Sequence, residues 1–190
     1  MNYLGHMILS GDDENILLGN FIGDHIRNRS LPLYSHSVQK GIQLHRAIDL
    51  YTDHHEKSRE LRTVLFDDYR HRSRVILDLF YDHFLAANFD EFHSLSLSSY
   101  VQKVSSTLQR HVHRMPESAQ RYFTAMRKYD WLMVYAEPNG IQWILNQMSK
   151  RKNIKPMGNA VELLNQNYSY FKENAFIFLR EVIDNFEVKN

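Results

Sequence analysis

Residues 75–87 read "VILDLFYDHFLAA", and this stretch constrains the fold more than any other. Projected at about 100° per residue, Val75, Ile76, Leu77, Leu79, Phe80, Phe84 and Leu85 cover nearly the whole circumference of a helix. Such a helix belongs at the centre of a core. Asp78 and Asp82 interrupt it one turn apart, and His83 adjoins Asp82. A buried unpaired charge is expensive, so each of these groups needs a partner, an altered protonation state or a metal ion. Arg46 and Arg74 are candidate ion-pair partners.

The rest of the chain predicts a helical surround. A short first segment is followed by a helix from about Asp13 to Asn28, capped by Ser10 or Asp12, with Leu17, Leu18, Phe21 and Ile22 inward. "NRSLP" breaks the chain before a helix from Ser35 to His54, whose apolar stripe is Leu44, Ala47, Ile48 and Tyr51. Further helices are expected over 56–66, 69–88, 100–113, 116–135 and 141–150. Ser98 or Ser99 is a cap, Pro116 starts a helix, and "EPNG" and "NIKPMGN" are breaks before a last helix through Asn185. Alternating strands with hairpin turns are missing from the pattern. The expectation is an all-α, single-domain helical bundle over residues 1–190, a length that can bury a real core.

Composition narrows the function classes. The chain has no cysteine, which excludes disulfides and thiolate metal sites. A net charge of +1 gives no overall attraction for nucleic acid, and no segment approaches the roughly 20 apolar residues of a membrane span. The opening "MNYLGHMILSGDDEN" has no basic region and too short an apolar run for a signal peptide. A cytoplasmic protein with neither nucleic-acid nor membrane partners is expected.

Eleven histidines, several beside aspartates, carry the chemistry. His45, Asp49 and Asp53 follow at intervals of four and form one ridge beside an apolar helix face. An imidazole and a carboxylate one turn apart can share a divalent ion or hydrogen-bond each other. Asp24 and His25 end another apolar stretch, in which Gly19 and Gly23 allow close helix contact, and His6 lies near the start. Helices that each carry such groups can converge on a metal in a bundle core. Nitrogen and oxygen ligands suit Mn²⁺, Mg²⁺, Fe²⁺ or Zn²⁺.

Four blocks, "MNYLGHMILS", "GNFIGDHIRN", "GIQLHRAIDLYTDHH" and "LDLFYDHFLAANF", in this order, resemble the acyl carrier protein phosphodiesterase family. That family is distantly related to the HD-domain metal-dependent phosphohydrolases. The blocks span about residues 1–90, and "WLMVYAEPNGIQWILNQMSKR" is the best-matching segment of the second half. The resemblance implies an HD-domain-like bundle that hydrolyses the phosphodiester joining 4′-phosphopantetheine to a serine of holo-acyl carrier protein, with Mn²⁺ as activating ion. It implies Asp24, His45, Asp82 and His83 as metal ligands, with His6, Asp49 and Asp53 as supporting or catalytic groups. Arg46 would stabilise phosphoryl charge or pair with Asp49. The usual HD order is a His, a His-Asp dyad and an Asp; here Asp82 precedes His83.

Carrier proteins are acidic, and Lys57, Arg59, Arg62, Arg70, Arg72 and Arg74 form a basic stretch that is either a solvated face or a docking surface for them. Two other readings stand beside this one. One is an HD-like phosphohydrolase of a nucleotide or other small phosphodiester. The other is a non-catalytic helical binding module whose Asp and His groups make only structural hydrogen bonds.

Overall fold

The apolar run around Asp82 is the central helix of the molecule. The computed structural model describes residues 1–150 and 156–186, and within them the chain is all-α, without strands. The α-helices are α1 Tyr3–Ile8, α2 Glu14–Ile22, α3 His36–His54, α4 Glu56–Tyr69, α5 Ser73–Ala87, α6 Leu97–Arg110, α7 Glu117–Lys128, α8 Trp131–Val134, α9 Pro138–Ser149, α10 Ala160–Gln166 and α11 Tyr168–Phe186. α5 is buried from Leu79 through Ala86 without a break and packs against α1, α4, α9 and α11. One continuous apolar cluster joins all of these.

Four elements differ from the sequence expectation, one being the single last helix expected through Asn185, which is two helices, α10 and α11, separated at Asn167. The helix expected to Asn28 stops at Ile22, and two 3₁₀ turns, Gly23–His25 and Asn28–Leu33, carry the chain to α3. Its cap is Asp13, whose carboxylate accepts the amides of Asn15 and Ile16 at 2.8 and 3.2 Å. The helix expected over 116–135 is split into α7 and α8, because Asp130 takes a left-handed conformation with φ 47°. The cap of α6 is Ser96 rather than Ser98 or Ser99. The expected break at "NIKPMGN" lies partly outside the described residues.

α2 and α3 share the most extensive helix contact, and glycines permit it. A Cβ on Gly19 would lie 2.1 Å from the carbonyl oxygen of Val38, and one on Gly41 would lie 2.2 Å from that of Ile16. The two backbones therefore touch where any side chain would hold them apart.

The buried Asp82 finds its partner in α1. Its carboxylate accepts the backbone N–H groups of Asn2 at 3.2 Å, Leu4 at 2.8 Å and Gly5 at 3.2 Å. The Asn2 side chain accepts the remaining first-turn amide, Tyr3 N–H, at 2.8 Å. Every orphan donor at this helix start is thus satisfied, and the carboxylate sits where a helix dipole favours an anion. The α-amino group of Met1 donates to Asp78 at 2.9 Å, so Asp78 is paired by an amine rather than by Arg46 or Arg74. Asp82→Ala leaves two buried amides and one half-buried amide without an acceptor and should cost about 3 kcal/mol of stability. Urea unfolding with excess chelator checks this. A loss that disappears when the ion is chelated would mean that Asp82 acts through a metal instead.

Candidate metal centre

Two helices and a 3₁₀ turn bring four of the expected residues together. His6 comes from α1, Asp24 from the turn after α2, and His45 and Asp49 from successive turns of α3. His6, His45 and Asp49 present ligand atoms that all lie within 4.8 Å of one another. The His6 and His45 rings stack at 4.1 Å between centroids. His6 Nε2 is 3.1 Å from Asp49 Oδ1, and His45 Nε2 is 3.1 Å from Asp24 Oδ1 and 3.3 Å from Asp49 Oδ2. Gly23 makes room for this arrangement, since a Cβ there would stand 2.3 Å from His45 Cγ.

Asn20, a buried polar residue on the apolar face of α2, orients both imidazoles and was not singled out from the sequence. Its amide nitrogen donates to the carbonyl of His6 at 2.7 Å and to Ser10 Oγ at 2.9 Å. Its side-chain oxygen is therefore an acceptor, and His6 Nδ1, 2.9 Å away, must donate to it. The Asn20 carbonyl accepts His45 Nδ1–H at 2.8 Å. With Nδ1–H committed in both rings, Nε2 is the nitrogen that faces the carboxylates, and it becomes a lone pair there once its proton leaves. That is the tautomer a metal-binding histidine needs, with the opposite nitrogen held by a carbonyl oxygen. The one available signal was an asparagine inside the otherwise apolar "LLGNFIG" run.

The electrostatics favour a cation between these groups. Burial pushes the His45 imidazolium down, but the Asp24 and Asp49 carboxylates outweigh it and raise the group to about 9. Burial opposes ionisation of Asp49, and the two imidazoles overcome it to hold the carboxyl well below its usual range. His45 lowers Asp24 in the same way. Burial keeps His6 below the ordinary histidine range. Among the described residues His45 Nε2 is buried without a well-aligned hydrogen-bond partner, despite the two nearby carboxylates. A proton on this nitrogen and a divalent ion compete for the same place, so the donor set fits a metal.

The remaining expected residues lie elsewhere. Asp82 and His83, expected as ligands, are not brought to this group. Both Asp82 oxygens are turned to the amides of α1, while His83 Nδ1 meets the Tyr135 carbonyl at 2.8 Å and Nε2 the Tyr168 hydroxyl at 3.0 Å. Asp82 and His83 are neighbours on α5, and their side chains diverge to different partners. Asp53 borders the same cleft as Asp24 and Asp49 but is held by Arg62 and Arg74, each at 3.0 Å. Arg46 donates to Asn28 Oδ1 and the Ile26 carbonyl at 2.7 and 2.9 Å, pinning the segment after the 3₁₀ turn instead of pairing with Asp49. His25 Nδ1 meets Ser118 Oγ at 3.0 Å.

A family model described as acyl carrier protein phosphodiesterase matches residues 1–182, all four residues of the centre included. The chain belongs to that family. An acyl carrier protein phosphodiesterase of Photorhabdus laumondii is 28% identical over 192 residues, covering 100% of this chain and 97% of that protein. One from Yersinia pestis is 30% identical over 94% of this chain and 93% of its own length. An Escherichia coli relative of the same name is 29% identical over 80% of this chain and 79% of its own length. No solved structure gives a significant match.

Three outcomes follow for this member of the acyl carrier protein phosphodiesterase family. Asn20→Ala removes the acceptor of His6 Nδ1 while the backbone carbonyl at residue 20 still holds His45, and it should weaken divalent-cation binding about 10- to 100-fold, measured by titration calorimetry. In the parent, His45 carries a proton below about 9 that an incoming ion must displace. Affinity should therefore rise with pH across the neutral range by about one log unit per pH unit and level off near that value. Without metal the sign is opposite: the raised His45 adds stability that is complete below about 6.5 and is lost as pH rises through about 9. Thermal melts in chelator across that range test it.

Proposed function

We propose that the chain is a metal-dependent phosphodiester hydrolase that removes 4′-phosphopantetheine from holo-acyl carrier protein. Family membership supports the reaction class and the carrier-protein substrate. The observation that carries the site assignment is the pair of imidazoles whose Nδ1 hydrogens are both committed to Asn20. His6, His45, Asp49 and Asp24 would hold the ion, with Mn²⁺ the first choice and Mg²⁺, Fe²⁺ or Zn²⁺ compatible with the same nitrogen and oxygen donors. A divalent cation there supplies Lewis acidity toward a phosphoryl oxygen and lowers the pKa of bound water.

The chain's own residues account for the rest. Asn20 fixes the imidazole tautomers before substrate arrives, so no reorientation is needed during reaction. Asp24, 71% exposed in its side chain, stands at the open edge of the cleft, where it can accept a hydrogen bond from a water beside the phosphate. Arg74 borders the cleft and is anchored through Asp53, which places a cation beside an incoming anionic diester. Asp82 and His83 hold α5 to α1, Tyr135 and Tyr168.

Carrier-protein docking belongs to the same proposal. Arg59, Arg62, Arg70 and Arg74 line one groove along α4 and the following turn, together with Phe66 and His71. Lys57 pairs with Glu60 at 3.0 Å, and Arg72 borders a different cavity, so four of the six expected cations share this surface. Arg74 belongs to both groove and cleft, which gives an acidic partner a continuous path to the centre. No helix among the described residues is long and apolar enough to cross a membrane, and a cytoplasmic setting completes the reading.

The decisive experiment incubates the protein with holo-carrier protein and Mn²⁺ and follows the carrier by mass spectrometry. Loss of the phosphopantetheine mass, abolished by chelation and in His45→Ala, is expected. Retention of that mass while a nucleotide diester is hydrolysed overturns the substrate assignment. For docking, Arg59→Glu with Arg70→Glu should raise KM roughly tenfold at low salt and flatten its salt dependence.

A further inference from the structure

The segment "WLMVYAEPNGIQWILNQMSKR" carries no ligand of the metal centre, yet it builds a feature beside it. Trp131 and Tyr135 from α8 and its end, with Trp143 and Met148 from α9, wall a cavity of about 370 Å³ that Asn2 and Tyr3 close on the other side. Arg72 is the one charged residue among those lining it. The volume lies within the range of pockets that enclose small molecules, roughly 300–1,000 Å³.

Two chain segments connect this cavity to the acidic cleft. Met1 borders the cleft with Asp24 and Asp49, while Asn2 and Tyr3, the next residues, border the cavity. On α5 and the turn before it, Arg74 borders the cleft and Arg72 and Val75 the cavity. The two spaces are back to back across residues 1–3 and 72–75. On both segments, residues that border the cleft and residues that border the cavity are thus sequence neighbours.

The lining selects the kind of ligand. Five aromatic rings and two methionines border the space, with the Asn2 and Gln147 amides among the polar groups. The indole N–H of Trp131 is buried and finds no acceptor among the described residues. This suits a flexible, uncharged chain that carries amide carbonyls on an otherwise apolar backbone, because rings cover the methylenes and the few polar groups meet the amides. A cationic tail would lose its hydration and meet Arg72 without compensation.

We infer that this cavity receives the pantetheine arm of the substrate, seating the neutral diamide chain while the phosphate lies in the His6–His45–Asp49 cleft. The inference rests on the phosphodiesterase reading for the identity of the ligand and on the shared wall for its placement. The cavity would act in binding and positioning rather than in bond cleavage, so its changes should appear in KM.

The chain has two tryptophans, and both line the cavity, so intrinsic fluorescence reports its occupancy directly. Titration of the parent protein with free pantetheine, which has no phosphate, should change the emission saturably, with chelator present or absent. Met148 is 37% exposed, so Met148→Trp adds bulk at the cavity wall without disturbing the core. It should raise KM for holo-carrier protein roughly tenfold with kcat within about twofold. Emission that pantetheine leaves unchanged, emission that answers to adenosine instead, or a parental KM in Met148→Trp overturns the assignment. If pantetheine shifts the emission but holo-carrier protein is never cleaved, the cavity assignment stands and the hydrolase reading falls.

Discussion

The arrangement of the centre depends on one buried carboxylate. Asp82, in the driest helix of the bundle, replaces solvent for the first amides of α1 and so decides where that short helix begins and how it lies. Burial raises its carboxyl to about 7 even though the Met1 amino group and the three amides favour the ionised form. A six-residue helix has little intrinsic stability, so an external anchor of this kind is needed to hold it in place. His6 rides on that helix. Every distance from His6 to Asp49 and Asn20 is inherited from the Asp82 contact.

The second dependence is on Asn20. One residue serves two imidazoles through two different oxygens, and its amide nitrogen leaves no freedom to reverse the side chain. The glycine contact between α2 and α3 brings this about, because Asn20 and His45 meet only when the two backbones touch. Three features then act on one place: both rings are held with Nε2 toward the cleft, the carboxylates favour positive charge there, and the cleft is open at Asp24. Pre-organised ligands with an open edge are what hydrolysis at a metal requires.

Much of the fold was legible because hydrophobic periodicity is local. The helices over 36–54 and 73–87 lie within a few residues of their expected bounds, and the central position of the latter follows from its all-round apolar surface. The residues around the break at Asp130 were misread as one helix, since apolar spacing continues across it while the backbone does not. At the candidate centre, His6, Asp24, His45 and Asp49 do come together. Asp82 and His83 looked like ligands for a sound reason, the cost of burying them, but that cost is met by α1 amides and by tyrosine partners. Asn20 was overlooked because a lone amide in an apolar stretch carries no charge to raise the question.

The amino-acid sequence by itself determined the helical class, the buried position of α5 and the presence of polar groups that needed partners, because periodicity and desolvation are properties of a segment and its residue types. Only the tertiary structure decided which partner each group found. Asp82 meets amides 77 to 80 residues away, His45 meets a carbonyl 25 residues away, and the cavity wall joins Asn2 and Tyr3 to residues 131–148. Such pairings are set by how helices pack. An aspartate bound to a helix start and an aspartate bound to an ion carry the same letter and the same local pattern.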